Sequence, residues 1–182
     1  MMKGSSLCEL GDFSNALICL DSSILLDSTN YKAHFYKGRT YLTMGFYSLA
    51  IKNLNKAIGL NPTYAKSYNC RATAEMRLSN ISNAIADANK AVSLDLTNAS
   101  LYVNRGYIKL QFSQYDLAIV DFTKSLSLAK SQGGYADRGF AYLKIGEYAN
   151  AIEDFNHSLQ ISPEDPEILY YRGICFDQMG SH

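Results

Sequence analysis

The feature that most constrains the fold of this chain is an internal period of 34 residues. Small residues recur at steps of 34, 34, 33 and 34, at Gly38, Ala72, Gly106, Gly139 and Gly173. A second series keeps the same interval, at Ala16, Ala50, Ala84, Ala118 and Ala151. Periods of about 20–50 residues are typical of arrays in which each repeat buries its apolar side only against its neighbours.

Each repeat contains two apolar stretches with helical spacing, separated by Gly or Ser and followed by polar turn residues. This pattern predicts a pair of antiparallel helices in every repeat. The first helices are expected at 31–44, 65–78, 99–112, 133–145 and 166–179. The second helices are expected at 14–26, 47–60, 81–94, 115–128 and 148–161. Prolines at Pro62, Pro163 and Pro166 mark repeat boundaries, because proline ends one helix and fits the first turn of the next.

Residues 138–152, RGFAYLKIGEYANAI, resemble a tetratricopeptide repeat almost place for place. The resemblance covers residues 1–182 as one array, with a partial unit at 1–30, complete units at 31–64, 65–98, 99–131 and 132–165, and a first helix alone at 166–182. It implies an all-α fold, a right-handed α-solenoid of stacked antiparallel helix hairpins forming a tetratricopeptide superhelix. It also implies a non-catalytic scaffold for protein–protein interaction.

Three features depart from the repeat pattern. Residues 132–134 carry adjacent glycines, Gly133 and Gly134, which disfavour a helix start and predict an irregular joint or hinge. Lys109 and Glu75 occupy equivalent places in successive repeats, which raises a pair across adjacent hairpins as a hypothesis. The final helix has an apolar pattern unlike the polar cap of a solenoid end, which predicts either a segment of a longer repeat protein or self-association through the exposed terminal helices.

Composition argues against several other classes of function. Lys plus Arg and Asp plus Glu are both 17, so the chain lacks the excess positive charge of a nucleic-acid binder. No stretch is long and apolar enough for membrane insertion, and Cys8, Cys19, Cys70 and Cys175 form no closely spaced pair, which favours a cytoplasmic protein with reduced thiols. We expect no enzyme activity, no cofactor and no metal site, because no phosphate loop, nucleophile motif or metal-spaced cluster occurs.

Side chains that could act in catalysis or ligand binding also have structural interpretations. His34 occupies the place of Tyr68 and Tyr102, which predicts a packed aromatic substitute, and His157 is expected on the outer side of a second helix, while His182 is terminal. Arginine and aspartate recur in register, which predicts ion pairs within each hairpin, for Arg71 with Asp87, Arg105 with Asp121 and Arg138 with Asp154.

By resemblance to the family, the first helices line a concave groove that receives an extended peptide or a helix. The groove residues are expected to be Lys32, Phe35, Arg39, Lys66, Asn69, Thr73, Arg77, Asn104, Tyr107, Phe140 and Lys144. The near end is basic and the far end, at Glu167, Tyr170 and Asp177, is more acidic, which predicts a partner with an acidic portion. An adaptor for chaperone tails is the alternative, although its carboxylate clamp is incomplete here: Asn69 and Asn104 are present without their lysine and asparagine partners.

Overall fold

The computed structural model describes residues 12–180, and within that range all regular structure is α-helical. The ten helices in this range are α1 (Phe13–Leu26), α2 (Tyr31–Thr43), α3 (Tyr47–Leu60), α4 (Ala65–Arg77), α5 (Ile81–Leu94), α6 (Ala99–Gln111), α7 (Tyr115–Leu128), α8 (Gln132–Lys144), α9 (Tyr148–Ile161) and α10 (Pro166–Gly180). Each helix differs from its predicted range by at most one residue at either end. The start of the partial unit at 1–11, with Cys8, and the terminal His182 lie outside the described residues.

The turn inside each hairpin takes the same backbone conformation in all four complete repeats. Gly45 and Gly146 have φ of 80° and 82°, and Ser79 and Ser113 have φ of 61° and 59°. These four positions repeat with the period of the chain. A residue with positive φ therefore follows the first helix of each complete repeat, whether that residue is glycine or serine.

Helix-to-helix contacts divide the chain into two compact units, Met1–Asp95 and Leu96–His182. In the first unit, α2 pairs with α3 and α4 with α5, while α1 packs on α2, α3 packs on α4, and α2 also touches α4. The core between these helices contains Phe35, Ala50, Leu54, Ala57 and Ala74. Consecutive hairpins thus share one core, as the period predicts.

The second unit repeats this arrangement. α6 pairs with α7 and α8 with α9, α7 packs on α8, and α9 packs on α10. The first helices α6, α8 and α10 also touch in succession. One core cluster centres on Phe122 and another on Phe155, both fully buried.

Gly38, Gly106 and Gly139 of the small-residue series each allow their first helix to approach the second helix of the hairpin closely. A Cβ added at Gly106 would lie 2.8 Å from Phe122 Cε1, and one added at Gly139 would lie 2.8 Å from Phe155 Cε1. The repeat at 65–98 has Ala72 in place of glycine, and there the opposing position is Ala88, also buried. The extra methyl group is matched by a smaller partner, so the two positions vary together.

The prediction that Gly133 and Gly134 resist a helix start is wrong. α8 begins at Gln132 and runs through both glycines, because the Ser131 hydroxyl caps it by accepting a hydrogen bond from the Gly134 amide at 3.1 Å. A Cβ at Gly134 would lie 3.0 Å from Leu126 Cδ2, so glycine here permits close packing on α7. The segment lies inside the second compact unit.

The predicted arginine–aspartate pairs are confirmed in all three hairpins. Arg71 Nε lies 2.6 Å from Asp87 Oδ2, Arg105 Nη2 lies 2.6 Å from Asp121 Oδ1, and Arg138 Nη2 lies 2.7 Å from Asp154 Oδ1. Each arginine uses a second nitrogen on the other carboxylate oxygen, which makes the pair bidentate. The hydrogen bonds to their aspartates raise the pKa of Arg71 and of Arg138.

Lys109 and Glu75 each have a partner within their own hairpin, and a pair between them stays a prediction. Lys109 Nζ donates to Asp121 Oδ2 at 2.8 Å. Glu75 is buried, and its Oε2 accepts a hydrogen bond from the side-chain Nδ2 of Asn80 at 2.6 Å. Both side chains stabilise local structure.

The two described histidines have structural partners. His34 is buried and its Nε2 lies 3.2 Å from the Ser28 carbonyl oxygen, six residues earlier. Tyr102 makes the equivalent contact, donating to the Leu96 carbonyl at 3.3 Å, so the interpretation of His34 as an aromatic substitute is confirmed. His157 is half-buried, with its ring 4.9 Å from that of Tyr135, rather than on the outer side of its helix.

Candidate functional site on the first helices

The first helices of the first unit carry a surface rich in cations, which we name the basic face and define as Lys32, Arg39, Lys66 and Arg77. Lys32, Lys66 and Arg77 are exposed and Arg39 is half-buried. α2 contains no Asp or Glu, and the single carboxylate of α4, Glu75, is buried. The basic face therefore has no exposed carboxylate on its own two helices.

One cation of α2 and one of α4 both act on the thiol of Cys70. Burial raises the pKa of the Cys70 thiol to about 11, and it outweighs the charges of Arg39 and Lys66, which lower that pKa. The Arg39 guanidinium also lies 5.0 Å from the centre of the Tyr36 ring. Cys70 is therefore a neutral packed thiol rather than a nucleophile.

The remaining groove residues predicted in the first unit occupy different environments. Asn69 and Thr73 are half-buried on α4, and the Thr73 hydroxyl donates to the Asn69 carbonyl at 3.2 Å. Phe35 is only 3% exposed and packs edge-on against Tyr36 and Tyr64, with ring centres 5.1 Å apart in both contacts. Phe35 belongs to the core, so the partner contact predicted for it is corrected and it is left out of the basic face.

The first helices of the second unit enclose a pocket of about 300 Å³. We name it the acidic pocket. It is lined by Tyr107, Leu110 and Gln111 of α6, Ala136, Asp137 and Phe140 of α8, and Glu167, Ile168 and Tyr171 of α10. Two predicted residues, Tyr107 and Phe140, are thus brought together with two carboxylates.

Sequence reasoning identified only part of this pocket. Asn104 is half-buried and Lys144 is exposed, and neither lines the pocket. On α10 the prediction named Tyr170, whose side chain is 66% exposed, whereas Tyr171 is the tyrosine in the pocket. Asp137 was missed, because one acidic residue in a helix acquires meaning only when the neighbouring first helices are placed beside it.

The Asp137 carboxyl group in the acidic pocket has an unusually high pKa. Burial, aided by the neighbouring Glu167 carboxylate, raises the pKa of Asp137 to about 6. The Tyr171 hydroxyl donates to Glu167 Oε1 at 3.2 Å, and the rings of Tyr171 and Phe140 lie 5.1 Å apart at 62°. Two carboxylates and three aromatic rings thus face one small space.

Among residues 12–180 we find no cluster of side chains with metal-ligand geometry, and none of the helices there is long and apolar enough to cross a membrane. The geometry of this part of the chain defines an all-α repeat protein, built from helix hairpins that present polar and aromatic side chains on their first helices. Family models for the tetratricopeptide repeat match residues 31–64, 99–132 and 139–180. The chain belongs to the tetratricopeptide repeat family.

Several solved structures share this fold. TTC0263, a thermophilic tetratricopeptide protein of Thermus thermophilus, superposes with a TM-score of 0.78 at 19% identity, over 97% of this chain and 96% of that chain. MamA gives 0.77 at 24% identity, over 90% and 96%. YrrB, a tetratricopeptide protein with an unusual peptide-binding site, gives 0.75 at 18% identity, over 93% and 88%. Among curated protein sequences, none matches significantly. At these identities the likeness concerns the fold.

Proposed function

We propose that this protein is a non-catalytic scaffold whose first helices bind an extended segment or a helix of a partner protein. The observation that supports it most is the basic face, where four cations lie on two adjacent helices without an exposed carboxylate. Such a surface favours an acidic partner segment and repels a basic one. That YrrB is described as having a peptide-binding site is in keeping with this use of the fold.

Charge alone does not provide useful affinity. Micromolar binding requires about −8 kcal/mol, and an exposed ion pair contributes about 0–1 kcal/mol. Apolar contacts must supply the rest. The half-buried Tyr36, which lies under the Arg39 guanidinium, offers one such contact beside the charges. We therefore propose an acidic segment that also carries an aromatic or aliphatic side chain.

The test is capture of partners from an extract of the source cells, quantified by mass spectrometry. A variant with Lys32, Arg39, Lys66 and Arg77 all changed to Glu is expected to lose the partners that the native chain retains. The matched control changes Lys52 and Lys56, two exposed lysines of the second helix α3, to Glu. If both variants capture the same proteins as the native chain, the basic face is not the binding surface.

A second candidate function is self-association through α10. Leu169, Tyr170, Phe176 and Met179 are each at least 41% exposed on this helix. Light scattering that shows only monomers at high concentration excludes this candidate. No observation favours the chaperone-tail adaptor over the general scaffold. We place the protein in the cytoplasm, in keeping with the free thiols of Cys19, Cys70 and Cys175.

A further inference from the structure

The acidic pocket of the second unit contains negative charge that the protein itself leaves unbalanced. Five Lys and Arg residues occur in α6, α8 and α10, and each contacts a group other than the two carboxylates of the acidic pocket. Arg105 and Lys109 bind Asp121, and Arg138 binds Asp154. Arg172 donates to Asn156 Oδ1 at 2.8 Å, and Lys144 Nζ lies 4.9 Å from the centre of the Phe140 ring.

The carboxylate that lacks a compensating positive charge is that of Asp137. Within residues 12–180 its carboxylate has no hydrogen bond or ion pair, and its nearest charged neighbour in the pocket is another carboxylate, Glu167. Burying an unpaired carboxylate beside a like charge costs stability. A residue that costs stability in the empty protein and faces a cavity is a candidate for ligand binding.

We propose that the acidic pocket binds a basic side chain of the partner protein, an arginine in particular. The claim rests on the proposed peptide-binding function and names the chemistry of one contact in it. A guanidinium is planar, so it stacks on aromatic rings while its nitrogens donate to carboxylates in pairs. The pocket offers both elements: Tyr107, Phe140 and Tyr171 as rings, and Asp137 with Glu167 as acceptors.

The size and composition of the pocket favour this occupant over others. At about 300 Å³ it lies at the small end of the range for ligand pockets, which suits one long side chain rather than a folded segment. A purely apolar side chain would leave the Asp137 carboxylate without a partner. A metal ion is disfavoured, because the described residues contain no cluster of three ligands in reach of one ion.

The charged and titratable groups around Asp137 set the expected pH dependence. Glu167 and Tyr171 face it from α10 and Tyr107 from α6, while Lys144 lies above Phe140 on the same helix. Protonation of Asp137 removes half of the acceptor charge. Binding of a basic side chain is therefore expected to weaken as the pH falls from 7.5 to 5, while binding of an acidic segment to the basic face is not.

The experiment titrates short capped peptides into the isotopically labelled full chain and follows amide and aromatic NMR shifts. The probes are Ac-Ala-Arg-Ala-NH2 and the same peptide with citrulline, which keeps the shape of arginine and lacks its charge. An acidic capped peptide, Ac-Glu-Phe-Glu-NH2, tests the basic face in parallel. We expect the arginine probe to shift Tyr107, Phe140 and Tyr171 and to bind roughly tenfold more tightly than citrulline, or about 1.4 kcal/mol.

Two carboxylate variants complete the design. Asp137→Asn and Glu167→Gln should each lower the affinity for the arginine probe toward that of citrulline, whereas Glu153→Gln, an exposed carboxylate of α9 outside the pocket, should not. Because Asp137→Asn removes an unfavourable charge, the variant is expected to stay folded, and its dispersed NMR spectrum verifies this.

Each outcome separates this claim from the general function. If the arginine and citrulline peptides bind equally, or if the arginine peptide shifts residues outside the acidic pocket, the proposal for this pocket is wrong. Binding of the acidic peptide at the basic face would still support the scaffold function. Unchanged arginine affinity in both carboxylate variants also overturns the proposal for the acidic pocket. Failure of every probe to bind counts against the acidic pocket and the peptide-binding function together.

Discussion

Changing Gly106 to alanine tests whether close helix approach, rather than backbone freedom, keeps glycine in this series. The added Cβ would lie 2.8, 3.0 and 3.1 Å from three carbons of the Phe122 ring, where about 3.5–4.0 Å is normal. Phe122 is fully buried, so the ring has little room to move. Overpacking of this kind costs about 1–3 kcal/mol.

Alanine also gains helix propensity over glycine, by about 1 kcal/mol, which masks part of the loss. Gly173 provides the control, because it lies within α10 of the same unit and a Cβ there would meet nothing within 4 Å. The propensity gain is shared by both variants, so their difference measures the overpacking. Gly106→Ala should unfold about 1–3 kcal/mol more easily than Gly173→Ala, a gap of roughly 2–12 °C in Tm.

The assay is thermal and urea unfolding followed by circular dichroism, with slow scans because repeat arrays need not unfold in two states. A second pair of variants places Gly106→Ala in a Phe122→Ala background, which imitates the natural pair of Ala72 and Ala88. There the glycine change should stabilise. Equal stability of Gly106→Ala and Gly173→Ala would refute the reasoning, as would a destabilising Gly106→Ala once the ring is gone.

Three further predictions follow from the same structure. Ser113→Gly should stabilise the chain by up to about 1 kcal/mol in urea unfolding, because Ser113 holds a φ of 59° that glycine adopts without a steric penalty; a loss of stability would contradict this. Asp121→Asn should destabilise more than Asp87→Asn, by about 1–2 kcal/mol in the same assay, since Asp121 holds both Arg105 and Lys109. Asp137→Asn should stabilise the chain at pH 7 by about 1–2 kcal/mol, allowing for solvent screening. The native fold binds the Asp137 proton more tightly than the unfolded chain, so native stability should fall as the pH rises from about 4 to 6, and unfolding at several pH values should show that the variant lacks this fall.

The fold was largely predictable because every level of the sequence repeats in step. The small-residue series gave helix pairs whose ends agree with the structure to within one residue, and Arg138 with Asp154 showed that a recurring spacing of 16 is a side-chain contact. The wrong prediction at Gly133 and Gly134 relied on the low helix propensity of glycine alone. A serine cap and close packing on Leu126 outweighed that weak preference.

The candidate site was less predictable, since it depends on how helix faces are turned. Phe35 occupies a first helix as expected, yet its ring points into the core between hairpins. Tyr171 rather than Tyr170 lines the acidic pocket, a difference of one residue that corresponds to about 100° around a helix. Asp137 joins Glu167 only through the packing of α8 with α10, a relation that no single repeat contains.

The arginines that pair with aspartate also reach backwards along the chain. Arg71 donates to Asn55 of α3 at 2.5 Å as well as to Asp87 of α5, and Arg138 donates to Thr123 of α7 at 3.0 Å as well as to Asp154 of α9. One guanidinium therefore fastens three successive helices. Peeling one hairpin from its neighbour in these places must break a charge-assisted contact as well as the apolar core. Amide protons on both sides of each arginine should then exchange with solvent as a group, so local opening would proceed by whole blocks of helices rather than by gradual fraying.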